Sequence, residues 1–425
     1  MNLKKLVFVT AIILSMANGF SQTDTTGTTG SLNWKLTFSD STLTIWGNDT
    51  MPNYAWGSIP WQSYIDAIKN VIIDDGVTTI GVLAFGGCSN LSSVTIPNSV
   101  TSIGERAFIV SNLTSVTIPN SVTFIGVLVF AGCNNLNSID VDNNNINYSS
   151  ENGVLFNKSK TILVQYPTGK GETYNIPNNV TTIGNHAFFV CKNLISVKIP
   201  NSVTTIGAQA FSGCDNITVI NLNPVPILID AIVFYQTRID TCKLIVPASA
   251  VTDYKNADVW KEFNPIIGGY SVNAIPNNNV YGLVTGEDFY EENTTATLIA
   301  TANNGYKFKN LTKNGVEVTR DNPYIFTVTE DIDLVANFDI EETNIANIIC
   351  NSYIKIYPNP TTGELIIDDE EITIENIEIL DVVGRVVFRS NVSQLSPKTT
   401  INISHLSSGI YFLKIAGKTV KIVKN

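Results

Sequence analysis

Four cysteines recur at one phase of the chain. Cys88, Cys133, Cys191 and Cys214 each follow a phenylalanine by three residues. Zinc binding or disulfide formation is the chemistry such thiols could support. Asp140, Asp142, Asn144 and Glu151 occupy positions 1, 3, 5 and 12 of a calcium-loop pattern. Asn145 stands where that loop needs glycine, and no flanking helices are evident. The two histidines are His186 and His405, so only one is available to a hydrolytic triad before residue 340. No pair of carboxylates stands out for glycoside hydrolysis. The acidic run Asp368–Glu371 reads as a solvated turn. The sequence therefore names no catalytic residue, metal or cofactor, and the expected protein is not an enzyme.

The elements that carry these residues explain the recurrence. VTIPNSVTSIG (94–104), VTIPNSVTFIG (116–126) and VKIPNSVTTIG (197–207) are nearly identical, with looser copies at 71–81 and 174–184. Aligned on Ile80, Ile103, Ile125, Ile183 and Ile206, the spacings are 23, 22, 58 and 23. Phe85, Phe108, Phe130, Phe188, Phe211 and Phe234 keep the same phase. A period of this length marks a stacked array, because one unit has too few apolar residues to fold alone. Leu91, Val94 and Ile96 alternate as a short strand with one inward face, as do Leu113, Val116 and Ile118. Proline then stops the strand, and Asn-Ser supplies turn chemistry. Gly81, Gly104, Gly126, Gly184 and Gly207 are expected to permit a tight backbone path on the far side. About eight coils, spaced roughly 4.8 Å apart, are expected.

Stacking decides the cysteine question. Non-adjacent coils put cysteines about 10 Å or more apart, beyond the roughly 7 Å Cα limit for a disulfide. Only Cys191 and Cys214 can be neighbours. Ser111 takes the same place in another coil, so the series reads as a ladder of small buried side chains. Cys242 and Cys350 fall outside it and stay unassigned. His186 fills a slot held elsewhere by Arg106 and Gln209, and so reads as surface-exposed. Trp46, Tyr54, Trp56, Trp61 and Tyr64 cluster before the first unit and read as the core of an N-terminal cap. Outward positions of the strands are Asn70, Ser93, Thr95, Ser115, Thr117, Ser138, Asp140, Ser196, Lys198, Val219 and Asn221. They form a flat hydroxyl and amide face, the surface on which solenoids bind partners, although it lacks the Trp, Tyr and Arg that anchor hot spots.

Composition fits this reading. The chain has 425 residues, 44% hydrophobic and only 15% charged, with a net charge of −11. An acidic chain without basic clusters is a poor partner for nucleic acid or anionic membranes. At the start, Lys4 and Lys5 precede an apolar run from Leu6 to Met16, with small residues Ala17, Gly19 and Ser21 after it. That is the pattern of a secretory leader, residues 1–21, with cleavage expected just before Gln22. No later stretch reaches the roughly 18 apolar residues of a membrane helix, so no transmembrane span is expected in the mature chain.

The repeat, from about Leu32 to Ile267, closely resembles the BspA-like leucine-rich repeats of bacterial surface proteins. Residues 36–76 resemble that family's N-terminal capping segment and 246–263 its closing segment. The departing stretch 140–179 resembles an irregular repeat common in the family. Residues 268–340 alternate in short strands with Asn304-Gly305 and Asn314-Gly315 turns. Gly305-Tyr306, Phe308, Asn314-Gly315 and Ala336-Asn337-Phe338 resemble the divergent internalin-B-type repeat, with Leu311 where that family has Trp. After a polar linker at 341–352, residues 353–425 resemble the type IX (Por) secretion C-terminal sorting domain. The marks are Tyr357-Pro358-Asn359-Pro360, Asp381 with Gly384-Arg385, Gly409-Ile410-Tyr411 and Lys421-Ile422-Val423-Lys424. The expected fold is mainly β: a leucine-rich-repeat solenoid (22–267), a small β module, and a C-terminal β-sandwich. The resemblances imply a Gram-negative, Bacteroidetes-like cell and the type IX secretion machinery as a partner. They imply a secreted or surface-attached binding protein, adhesin-like, whose ligand is an extracellular protein. A glycan-binding accessory of a polysaccharide-degrading system is the alternative.

Overall fold

A computed structural model describes residues 23–341, 355–368, 376–391, 398–415 and 418–425. The leader and almost all of the linker, with Cys350, lie outside the described residues, as do Asp369, Glu370 and Glu371. The described residues are 42% strand and 7% helix, with a β-solenoid of about nine turns, one more than the eight coils expected.

Alternation in the L-x-x-V-x-I segments builds one sheet face of the solenoid. Thr25–Thr29, Leu32–Thr37 and Thr42–Trp46 form an antiparallel meander. Its last strand pairs in parallel with Asn70–Ile73, which pairs with Ser93–Thr95. Ser115–Ile118 and Ser138–Val141 follow. A second parallel run contains Thr173–Asn175, Ser196–Ile199, Thr218–Asn221, Lys243–Pro247 and Ile266–Pro276. On the far side of five turns, residue pairs that end in isoleucine form two-residue strands. Thr79–Ile80, Ser102–Ile103 and Phe124–Ile125 align, as do Thr182–Ile183 and Thr205–Ile206.

Between the two runs lies the irregular stretch. Tyr148–Glu151 and Val154–Asn157 make a hairpin, and Ile162–Gln165 joins it to the far-side strands. The hairpin divides the core. One buried cluster runs from Leu32 to Leu155 and the next from Val154 to Phe263.

The recurring phenylalanines stack through both clusters. Phe85, Phe108 and Phe130 continue from Trp61 with ring centroids 5.6, 5.3 and 5.7 Å apart. Tyr166 opens the second column, ahead of Phe188, Phe211 and Phe234. A buried tryptophan closes each end, and its indole N–H finds a carbonyl, as buried indoles usually do. Trp61 donates to the oxygen of Ala84 at 3.2 Å, and Trp260 to that of Ile227 at 2.7 Å. Phe108→Ala is expected to cost about 3–5 kcal/mol, since it removes a ring packed on both faces. Thr95→Ala, on the surface, should stay within about 0.5 kcal/mol. Urea unfolding of the two variants checks the contrast.

The repeat glycines serve coil-to-coil approach. A Cβ at Gly104 would lie 2.5 Å from the Val82 nitrogen, and one at Gly81 would lie 1.8 Å from the Pro52 oxygen. The left-handed backbone sits two residues later, at Leu83, Arg106, Leu128, His186 and Gln209, with φ of 55–58°.

The described chain forms two compact units. The first contains the repeats through Asn273 together with Glu287–Ala296 and Ile325–Ile332. In it, Asp288–Glu291 pairs antiparallel with Gly269–Val272 at the end of the second parallel run. The second unit contains Ala274–Gly286, Thr297–Tyr324 and the chain from Asp333 onward. There Gly282–Thr285 pairs with residues 299–302, and Tyr306–Lys313 pairs with both Val316–Thr319 and residues 335–340. Asn314 and Gly315 both have positive φ, 52° and 79°, and make the expected tight hairpin. Asn304-Gly305 departs from expectation: it links strands of two different sheets. Leu311 is buried beside its strand partner Ala336.

The C-terminal strands make two sheets. Lys355–Tyr357, Glu364–Asp368 and Lys398–Asn402 form one. Asn376–Leu380, Val386–Asn391, Gly409–Ile415 and Lys418–Lys424 form the other. Leu365, Ile367, Ile377, Ile379, Leu413 and Ile422 share one core, giving a β-sandwich.

Candidate binding face

Strand register lines the outward side chains into columns. One column holds Asn70 and Ser93, then Ser115 and Ser138; the other holds Ile72 and Thr95, then Thr117 and Asp140. In the second run the columns continue as Thr173, Ser196, Thr218 and Lys243, beside Asn175, Lys198, Ile220 and Ile245. Ser93, Thr95, Ser115, Thr117 and Asp140 are exposed. Asn70 and Ser138 are half-buried: the Asn70 amide donates to the Asp40 carbonyl at 3.1 Å, and the Ser138 hydroxyl donates to the Asp140 carboxylate at 2.8 Å. Sequence reading passed over Ile72, an exposed apolar member at the Thr95 position; the strict alternation of strand faces carries that signal.

Two expected face residues are corrected. Asn221 and Val219 point inward and are fully buried, while Thr218 and Ile220 pair with Ser196 and Lys198. This coil has one residue fewer between its core Ile217 and the strand, and a one-residue slip moves every side chain to the opposite face. Lys198 does lie on the face, but its ammonium is paired with the Asp288 carboxylate and its side chain is only 16% exposed. Burial pushes that ammonium below the ordinary lysine value. Lys243 is likewise held, by Glu291 at 2.9 Å. The strand Asp288–Glu291 thus reaches over the second run, and the first run presents the open face.

The cysteine ladder is structural. All five described cysteines are buried and free. Burial, with Asp66 nearby, raises the Cys88 thiol to about 12, leaving no thiolate at neutral pH to act as nucleophile or ligand. Three rungs instead satisfy a carbonyl one coil back. The Cys133 thiol donates to Phe108 at 3.2 Å, that of Cys214 to Phe188 at 2.9 Å, and the Thr237 hydroxyl to Phe211 at 2.7 Å. Ser111 sits 3.1 Å from the Cys133 sulfur. Cys242, unassigned by sequence, is buried with its thiol 3.5 Å from the Arg238 carbonyl.

The calcium-pattern residues are put to local use. The Asp142 carboxylate accepts the Asn144 N–H at 2.8 Å, and Glu151 pairs with Lys160 at 2.6 Å. Among the described residues no group of three His, Cys, Asp or Glu converges on a metal position. Trp56 is corrected from core to surface: it is 64% exposed, its ring beside Gly87, and Trp46 is exposed as well. Trp61 is fully buried, with Tyr54 and Tyr64 packed against the same core.

His186 is half-buried rather than exposed, and its Nδ1 has no partner. Burial lowers its pKa below the ordinary 6.5, outweighing the hydrogen bond to Gln209. The folded chain therefore binds fewer protons here than the unfolded one, and stability falls as pH drops through and below about 6.5. His186→Gln, the residue at the equivalent Gln209, should flatten melting temperature between pH 7 and pH 5. An unchanged pH profile would locate the titration elsewhere.

In the sorting-motif residues, Asn359 joins distant backbone. Its amide donates to the Lys421 carbonyl at 2.8 Å, and its oxygen accepts the Val423 N–H at 2.8 Å. Asp381 accepts the N–H groups of Val383 and Arg385, around Gly384 at φ 83°. The Tyr357 hydroxyl donates to Asp368 at 3.0 Å, and the Tyr411 hydroxyl to the Ser407 carbonyl at 2.8 Å. Lys424 is buried.

Comparison with known proteins gives three matches in chain order. Residues 63–170 and 164–256 match the BspA type leucine rich repeat region, in six copies. Residues 271–342 match the divergent InlB B-repeat domain, and 355–425 the secretion system C-terminal sorting domain. Among solved structures, a leucine-rich repeat protein from Eubacterium ventriosum is 25% identical, covering 60% of this chain and 87% of its own, with a TM-score of 0.36. A leucine rich cell surface protein from Faecalibacterium prausnitzii is 21% identical, covering 58% and 95%, with a TM-score of 0.37. A leucine-rich repeat protein from Bacteroides ovatus is 16% identical, covering 60% and 83%, with a TM-score of 0.24. No curated protein matches the chain. Among the described residues no helix is long and apolar enough to cross a membrane. Residues 63–256 thus match the BspA type leucine rich repeat region, in a chain whose sorting domain directs type IX export to the cell surface or the extracellular space.

Proposed function

We propose that this chain is a non-catalytic, adhesin-like binding protein that recognises an extracellular protein through the open part of its repeat face. The observation that carries the reading is the pair of exposed columns around Ser93, Thr95, Ser115, Thr117 and Asp140. Hydroxyl and carboxylate groups at strand spacing can pair with an extended partner along several coils. The domain boundaries belong to the same proposal: leader 1–21, repeats with caps 22–267, β module 268–340, linker 341–352 and sorting domain 353–425. The alternative, a glycan-binding accessory of a polysaccharide-degrading system, draws on exposed Trp46 and Trp56, because sugars stack on aromatic rings.

The test is a binding screen of the purified full chain against extracellular-matrix proteins. The expected result is saturable binding to at least one, weakened tenfold or more in a Thr95→Ala, Thr117→Ala, Asp140→Ala variant. Undiminished binding by that variant, folded by circular dichroism, would sink the face as the site.

A further inference from the structure

The strand Asp288–Glu291 does more than cover the second run: it walls one side of a cleft of about 460 Å³, within the usual ~300–1,000 Å³ range of small-molecule sites. Asn175, at the end of the edge strand, and Asn178, in the turn after it, line the cleft with exposed amides. Lys198 and Asp288 lie between, paired with each other. Apolar lining comes from Pro200 and Phe289.

We infer that this cleft is a binding site for a neutral sugar residue of a glycan, distinct from the open face. Three features of its chemistry select that class. The Lys198–Asp288 pair cancels its own charge, and the other charged lining residue, Glu287, is a carboxylate, so the lining holds no unneutralised cation to bind an anionic ligand. Amides and carboxylate together offer both donors and acceptors, which matches vicinal hydroxyls, each donor and acceptor at once. Pro200 and Phe289 give the C–H face of a sugar ring an apolar surface to cover. The open face around Thr95 and Thr117 offers the polar groups without that apolar wall.

The experiment uses the full chain on an array of neutral and acidic oligosaccharides, followed by titration calorimetry with the best neutral hit. Asn178→Trp should fill the cleft and weaken neutral-sugar binding at least tenfold. Asn175→Ala should weaken it severalfold without a bulky substitution. Thr95→Ala with Thr117→Ala should leave it unchanged, which separates this site from the protein-binding face. Binding of acidic glycans only, binding of none by the folded chain, or full binding by folded Asn178→Trp would each overturn the assignment.

Discussion

Replacing Asn145 with alanine is expected to destabilise the repeat array by about 3–6 kcal/mol, because each buried group left unsatisfied costs roughly 1–3 kcal/mol. Asn145 is fully buried, and its side chain serves four backbone groups. The amide nitrogen donates to the carbonyls of Pro119 and Val122 at 2.8 and 2.9 Å. The amide oxygen accepts from the N–H groups of Asn147 and Tyr148 at 2.9 and 2.8 Å. It thereby ties the start of the Tyr148–Glu151 hairpin to the preceding coil, where the two core clusters meet. Asn145→Asp should not rescue the loss, since a carboxylate would face two carbonyls. Urea unfolding of the full chain followed by circular dichroism reads the effect. A change below about 1 kcal/mol would show that the carbonyls find other donors, and calcium should restore nothing.

Asn359→Ala is expected to reduce delivery of the chain outside the cell at least tenfold. The Tyr357–Pro360 loop is a clasp on the last strand. Asn359 bridges Lys421 and Val423, the Thr361 N–H donates to the Val423 carbonyl at 2.8 Å, and the Asn425 N–H donates to the Thr361 carbonyl at 2.9 Å. Losing the bridge leaves the Val423 N–H and the Lys421 carbonyl without these partners, which frees the terminal strand to fray. If the secretion machinery reads that strand in place, the frayed signal stays behind. Immunoblots of periplasmic, surface and medium fractions measure this, with Val382→Ser as an exposed control in the same domain. Normal surface delivery of Asn359→Ala would remove the clasp from the sorting mechanism.

The repeated coil was legible because each of its determinants is local. Alternation in Leu91-Ser92-Ser93-Val94-Thr95-Ile96 fixes which side chains turn inward, proline ends the strand, and a fixed period forces Phe85, Phe108 and Phe130 into one column. The cysteine ladder followed from the same period, and the sorting domain from motifs that stand close together. Other features depend on contacts between residues far apart in sequence. Lys198 reads as an open cation until Asp288, 90 residues later, is folded over it. His186 shares its slot with Arg106 and Gln209, and only the neighbouring coils decide how much water reaches it. Asn145 looked like a defect in a calcium loop, because its four backbone partners belong to turns that the sequence does not show to be adjacent. The inward turn of Asn221 came from one residue missing before its strand, which only the pairing with Ser196–Ile199 exposes. The sequence by itself determined the coil, since its period and strand alternation are short-range. Tertiary structure decided which parts of the face stay open, since covering a surface requires a segment from elsewhere in the chain.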